Sequence, residues 1–136
     1  MMPVDDPLPW WLAERHRLRI TEGEPCYVRL IDVGAALSQR GTSADGEVTL
    51  EVRDAFCPWN ARRWRQGDGK ALQCSPTGAR ADATINVREL ASLSLGGVTV
   101  SELTRAGLVE EHVPSTIRRL DALLASPRPP WNSFIF

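Results

Sequence analysis

Few side chains in this sequence have the chemistry to catalyse or to hold a metal. There are two histidines, His16 and His112, and three cysteines, Cys26, Cys57 and Cys74. A tetrahedral zinc site built from Cys and His would need four of these five, and none of them sits at ligand spacing. No Gly-x-Ser-x-Gly elbow places a nucleophile for a histidine to activate. His16 falls in the charged run Glu14-Arg15-His16-Arg17 and reads as a solvated surface residue. His112 follows Glu110-Glu111 and reads as a strand-end or loop residue. The paired carboxylates themselves, adjacent on a strand, must point to opposite faces and so do not converge on one substrate. Neither Gly-x-Gly-x-x-Gly nor Gly-x4-Gly-Lys-Ser/Thr is present to cradle phosphates.

Two arrangements are more informative. Trp59-Asn60-Ala61-Arg62-Arg63-Trp64-Arg65 interleaves aromatic rings with arginines, a pattern able to grip single-stranded nucleic acid. With no second basic cluster, a strand face is favoured, with Arg63 and Arg65 solvated on one side and Trp64 packed on the other. The second arrangement is the C-terminus, where Phe134-Ile135-Phe136 sets apolar side chains beside the terminal carboxylate. Buried with those rings, that carboxylate would find partners or shift its pKa upward, and a partly desolvated carboxylate can act as a general base. The bland alternative is an apolar tail docked on its own core or on a neighbour. Five tryptophans could likewise line an apolar cavity or fill a core.

The elements that must position these residues follow from periodicity. Residues 1–17 are proline-punctuated and read as a lead-in segment; residues 18–136 read as one folded domain. Leu18–Thr21 and Cys26–Ile31 have the alternation of two short strands, and Asp32 can cap a helix through Leu37. Glu47–Arg53 alternates most clearly, with Val48, Leu50 and Val52 facing a core. A strand is expected over Ala61–Gln66, turning at Gly67-Asp68-Gly69 into Lys70–Ser75, then a strand over Ala81–Val87 and a short helix to Leu93. Thr99-Val100-Ser101-Glu102 has capping-box spacing for a helix ending near Gly107. Leu108–Glu111 reads as an edge strand. A final amphipathic helix starts at Ser115, with Ile117, Leu120, Leu123 and Leu124 on one stripe. The order predicts an α+β fold: a mostly antiparallel sheet with helices packed on one face.

Composition bounds the rest. At 136 residues with 43% hydrophobic and 24% charged side chains, the chain can bury a single sizeable core. Sixteen basic and seventeen acidic residues leave a formal charge of −1. That balance argues against nucleic-acid binding and against a polybasic membrane anchor. No apolar run approaches the ~20 residues of a membrane span, and three unspaced cysteines fit a reducing compartment. A cytoplasmic location is expected.

The run Glu51-Val52-Arg53-Asp54-Ala55-Phe56-Cys57-Pro58-Trp59-Asn60, followed by Arg63-Trp64, resembles the C-terminal domain of the enhanced intracellular survival family of acetyltransferases. Other landmarks fall in the same order from Asp6-Pro7-Leu8-Pro9-Trp10 to Pro130-Trp131-Asn132 and Phe136, covering nearly the whole chain. The resemblance implies a sterol-carrier-protein-like fold over 18–136. It also implies a partnership with an acetyltransferase domain, in cis or in trans, that binds acetyl-coenzyme A and acetylates amines. Family members commonly end in Phe, whose carboxylate is taken as the general base; the matching position is Phe136. Trp59, Trp64, Trp131 and Phe134 are the residues expected to line the substrate pocket. The chain itself lacks the Arg/Gln-x-x-Gly-x-Gly/Ala loop for the pyrophosphate and carries Asn132 where cysteine is common. Alone it should hold no cofactor or metal and transfer no acetyl group. A sterol-carrier fold equally admits a stand-alone module for a lipid, sterol or other apolar small molecule, and contacts with further copies of the chain.

Overall fold

The computed structural model describes residues 2–21, 23, 27–40, 44–67 and 73–132. Short helices come first: α1 (Leu8–Trp11), a single 3-10 turn at Arg15–Arg17, and α2 (Val33–Ser38). The strands β1 (Glu47–Arg53), β2 (Arg63–Gly67), β3 (Cys74–Pro76) and β4 (Ala83–Asn86) follow. The chain then alternates α3 (Val87–Leu95), α4 (Val100–Arg105), β5 (Val109–Glu111) and α5 (Thr116–Leu123). The sheet has the order β3-β2-β1-β4-β5. β1 lies antiparallel to β2 and parallel to β4, while β2–β3 and β4–β5 are antiparallel. The expected α+β architecture is present.

Strand alternation separates two faces. Val48, Leu50 and Val52 of β1 pack with Trp64, Ile85 and Val109 from neighbouring strands and with Val33, Leu37, Leu90, Leu93, Val100 and Leu120 from the helices, in one continuous core. The other face carries ion pairs across the strands: Arg63–Glu51 at 3.6 Å, Arg65–Glu47 at 3.3 Å and Arg53–Glu110 at 2.9 Å. These side chains stay roughly half exposed, so each pair contributes well under about 1 kcal/mol. Arg63 and Arg65 therefore share a solvated face opposite Trp64. Glu110 and Glu111 also diverge, Glu110 to Arg53 and Glu111 to the backbone N–H of Ile117.

The helix ends follow local chemistry. Asp32 caps α2 by accepting from the N–H of Ala35. Thr99 and Glu102 form the reciprocal capping box of α4. α3 stops at Gly96, whose φ of +79° only glycine adopts cheaply. Arg40, just past α2, donates to the carbonyls of Leu93 (2.8 Å), Ser94 and Leu124 (2.5 Å), tying the C-terminal ends of α3 and α5 to α2.

Two expectations need correction. Among the described residues, neither Leu18–Thr21 nor Tyr27–Ile31 is a strand; Cys26 lies outside them. The carbonyls of Leu30 and Ile31 accept from the side chains of Asn60 and Trp59 rather than from a ladder partner. Alternation in residues 27–31 thus accompanies side-chain anchoring, not sheet pairing. Of the second hairpin strand expected over Lys70–Ser75, residues 70–72 lie outside the described set, and the described strand, β3, runs over Cys74–Pro76 without Gln73.

Candidate functional site

The loop joining β1 to β2, residues 54–62, is organised around one carboxylate. Asp54 Oδ1 accepts from the backbone N–H groups of Phe56 and Cys57, both at 2.9 Å, and from Arg29 Nη2 at 2.5 Å; Oδ2 accepts from Asn60 Nδ2 at 3.1 Å. Burial works against the charge, but the Cys57 amide, the Asn60 side chain, the Phe56 amide and Arg29 outweigh it and hold the pKa down to about 2. A carboxylate so occupied is a poor proton acceptor; its work is to fix the loop.

Asn60, fully buried, extends the same network. Its Oδ1 accepts from the Val33 N–H (3.1 Å), and its amide nitrogen also donates toward the carbonyls of Leu30 (3.3 Å) and Ile31 (3.1 Å). Trp59 Nε1 donates to the Ile31 carbonyl at 2.8 Å, and Trp64 Nε1 donates to the Asn60 carbonyl at 3.0 Å. The Trp64 ring is 7% exposed, and a Cβ added at Gly34 would lie 2.7 Å from it, so this close approach of α2 to β2 requires glycine. Together these bonds clasp residues 29–33 onto the loop.

The sequence-derived pocket residues are therefore anchored in different ways. Trp59 and Trp64 share the Asp54–Asn60 clasp, the first half exposed and the second in the core. Trp131, half exposed, follows Pro130, which packs at Gly97 beyond the end of α3. Phe134 and Phe136 lie outside the described residues. The sequence reading missed Arg29 and the outward-facing Tyr27 and Phe56. Asp54 was legible in principle, because an Asp that bonds amides two and three residues ahead of it organises turns. Arg29, 25 residues upstream, leaves no local signal.

Depressions among the described residues include the following two. An open cleft of about 620 Å³ at the end of β1 is lined by the charged side chains of Glu51, Arg53, Asp54, Arg62 and Arg63 together with Val52, Ala55, Ala61 and Thr77. A smaller one of about 160 Å³ lies between α3, α4 and α5, against Leu93, Val100, Asp121 and Leu124. His112 Nε2 lies 2.7 Å from Thr84 Oγ1 at the end of β5, fixing the strand end. Among the described residues no cluster of three His, Cys, Asp or Glu could hold a metal ion. No helix among them is long and apolar enough to cross a membrane.

Comparison with known proteins agrees with this architecture. Residues 33–133 match the sterol carrier protein domain model, and the chain belongs to that family. Its relatives carry the domain in N-acetyltransferases. An uncharacterized N-acetyltransferase of Streptomyces coelicolor is 42% identical over 95% of this chain, and the N-acetyltransferase Eis of Mycobacterium bovis is 35% identical over 96%. The crystal structure of Eis1 from Mycobacterium abscessus superposes on 98% of the chain with a TM-score of 0.87 and 33% identity. A GCN5-related N-acetyltransferase from Kribbella flavida covers 94% with a TM-score of 0.70 and 25% identity. The chain spans about a third of each of these proteins: 32% of the two relatives and 34% of the two structures.

Proposed function

We propose that this chain is the C-terminal domain of an N-acetyltransferase, where it shapes the pocket receiving the amine and supplies the Phe136 carboxylate as base. The observation carrying this reading is the 42% identity across 95% of the chain to a third of an N-acetyltransferase. Acetyl-coenzyme A is then the substrate of the parent enzyme. This chain contributes no pyrophosphate-binding loop, so the thioester would be held by the acetyltransferase portion.

The chemistry asks little of the domain beyond position and charge. The amine nitrogen attacks the thioester carbonyl, an N–C bond forms, the C–S bond breaks and coenzyme A leaves as the thiolate. The proton lost by the amine passes to a carboxylate placed beside it. Of the rings proposed for the pocket, Trp59 and Trp131 have exposed edges and Phe134 precedes the carboxylate. Trp64 acts from beneath by holding Asn60 and its loop. Alone, the chain should not transfer acetyl groups. In the intact enzyme, adding one glycine after Phe136 displaces the carboxylate. Acetyl transfer should then fall by about 10²-fold or more; unchanged turnover would refute the base assignment.

Membership of the sterol carrier protein family favours a second reading, a stand-alone module for an apolar small molecule. The larger cleft is open and edged by five charged side chains, and the smaller, at about 160 Å³, is below the ~300 Å³ of ordinary ligand pockets. Both geometries weigh against it. Saturable binding of a fluorescent fatty-acyl probe by the isolated chain would restore it.

A further inference from the structure

Apolar surface is distributed very unevenly over this domain. Of the fifteen large hydrophobic side chains exposed among the described residues, ten belong to residues 2–31, and two more, Phe56 and Trp59, to the loop clasped to that segment. Exposed apolar residues scattered singly need no explanation; a concentration in one stretch of chain and the loop clasped to its end does. Tyr27 is 87% and Phe56 77% exposed, and Ile31 and Trp59 are more than half exposed. The Arg29 guanidinium lies 5.0 Å from the centre of the Phe56 ring.

Phe56, Trp59 and Ile31 sit on held backbone. Asp54 fixes the backbone on both sides of Phe56 and the guanidinium above its ring, while Asn60 and Trp59 fix the backbone of residues 30 and 31. A buried polar network thus keeps Phe56, Trp59 and Ile31 presented to solvent. Rigid aromatic residues beside an arginine are what energetically dominant interface centres are made of, because little side-chain entropy remains to be lost on docking. The network is not organised to pull the rings into the core.

We infer that the face formed by Tyr27, Ile31, Phe56 and Trp59 is the surface on which an acetyltransferase portion docks. Resting on the functional reading above, this adds where the contact lies. The occupant follows from two observations. The relatives are N-acetyltransferases of which this chain makes up about a third, so in each of them the domain shares a polypeptide with a partner about twice its size. The uncovered apolar side chains belong mostly to residues 2–31 and to the loop clasped to residues 29–33, whereas the outer sheet face is a lattice of paired charges suited to water.

Hydroxyl-radical oxidation read by mass spectrometry tests the assignment on two proteins, the chain alone and the same chain joined to an acetyltransferase portion as its relatives carry it. Oxidation of Tyr27, Phe56 and Trp59 should fall about fivefold or more in the joined protein, with Leu95 and Leu108 unchanged as controls. With the two portions mixed as separate chains, Phe56→Ser should weaken association about tenfold; being exposed, this position leaves the core intact. Equal oxidation in both proteins overturns the inference. So does protection that grows with concentration in the isolated chain, which would make a second copy the occupant. A joined protein that transfers acetyl groups with the face unprotected refutes the docking face alone. One that is protected but inactive refutes the catalytic reading and leaves the docking face standing.

Discussion

Asp54 turns a sequence pattern into a fixed shape, and its energetics are open to acid. Its folded pKa of about 2 lies below the ordinary 3.8, so the stabilisation is complete above about pH 5 and is lost as pH falls through 3.8 toward 2. The shift is worth at most about 2 kcal/mol. Asp54→Asn should cost a similar amount at pH 7, and its urea midpoint should converge on that of the unmodified chain as pH drops to 2–3; parallel curves would contradict the linkage. Gln66 is the opposite case. It is fully buried on the core face of β2, opposite Val48, and neither of its amide atoms has a partner. Gln66→Leu should therefore raise stability by about 1–2 kcal/mol in urea unfolding, and a loss would show that the amide is satisfied in solution. At this scale the sequence was legible where the signal is local. The turn chemistry of Asp54-Ala55-Phe56-Cys57 could be read, but the partnership of Asp54 with Arg29 and the burial of Gln66 are tertiary facts.

Helix and strand placement was more legible than the roles of single residues, because periodicity and caps are written within each segment. β1, α4 and α5 lie where alternation, the Thr99–Glu102 box and the Ile117–Leu120–Leu123 stripe place them. Residues 26–31 alternate just as well yet form no strand among those described, since side chains of the 54–60 loop take the carbonyls a ladder would use. What joins the elements is equally invisible in local pattern. Arg40 spans α2, α3 and α5 through three carbonyls near the C-terminal ends of α3 and α5, where a cation also meets the negative ends of those helices. Arg40→Met keeps the apolar stem and removes these bonds. It should cost about 2–3 kcal/mol in thermal or urea unfolding, against about 1 kcal/mol for Thr99→Ala at the capping box; equal small losses would show that Arg40 merely decorates the surface.

On the scale of the whole molecule, the domain divides its surface between water and partner. One sheet face is a charged lattice, the other is the core, and among the described residues the clasped loop with the lead-in bears most of the exposed apolar side chains. The fold class could be read from the order of elements, and the family from the Phe-Cys-Pro-Trp-Asn run. The structure gives that run a physical meaning: its asparagine and Trp59 fasten residues 30–33, while its phenylalanine is left outside. The proposed base, Phe136, belongs to this scale too, because a terminal carboxylate acts only where the rest of an enzyme brings an amine to it.

The central strand also sets an order of assembly. β1 meets β2 across a nine-residue loop, but its other edge is closed by β4, parallel to it and reached only after β2 and β3 have been laid down. Closing the shorter loop costs less chain entropy. The β1–β2 pair is thus the natural nucleus, with β4 and β5 added later. Leu50→Ala, on β1, should slow refolding, whereas Val109→Ala, on the far edge, should chiefly speed unfolding in stopped-flow measurements. The reverse partition would place the nucleus on the other side of the sheet.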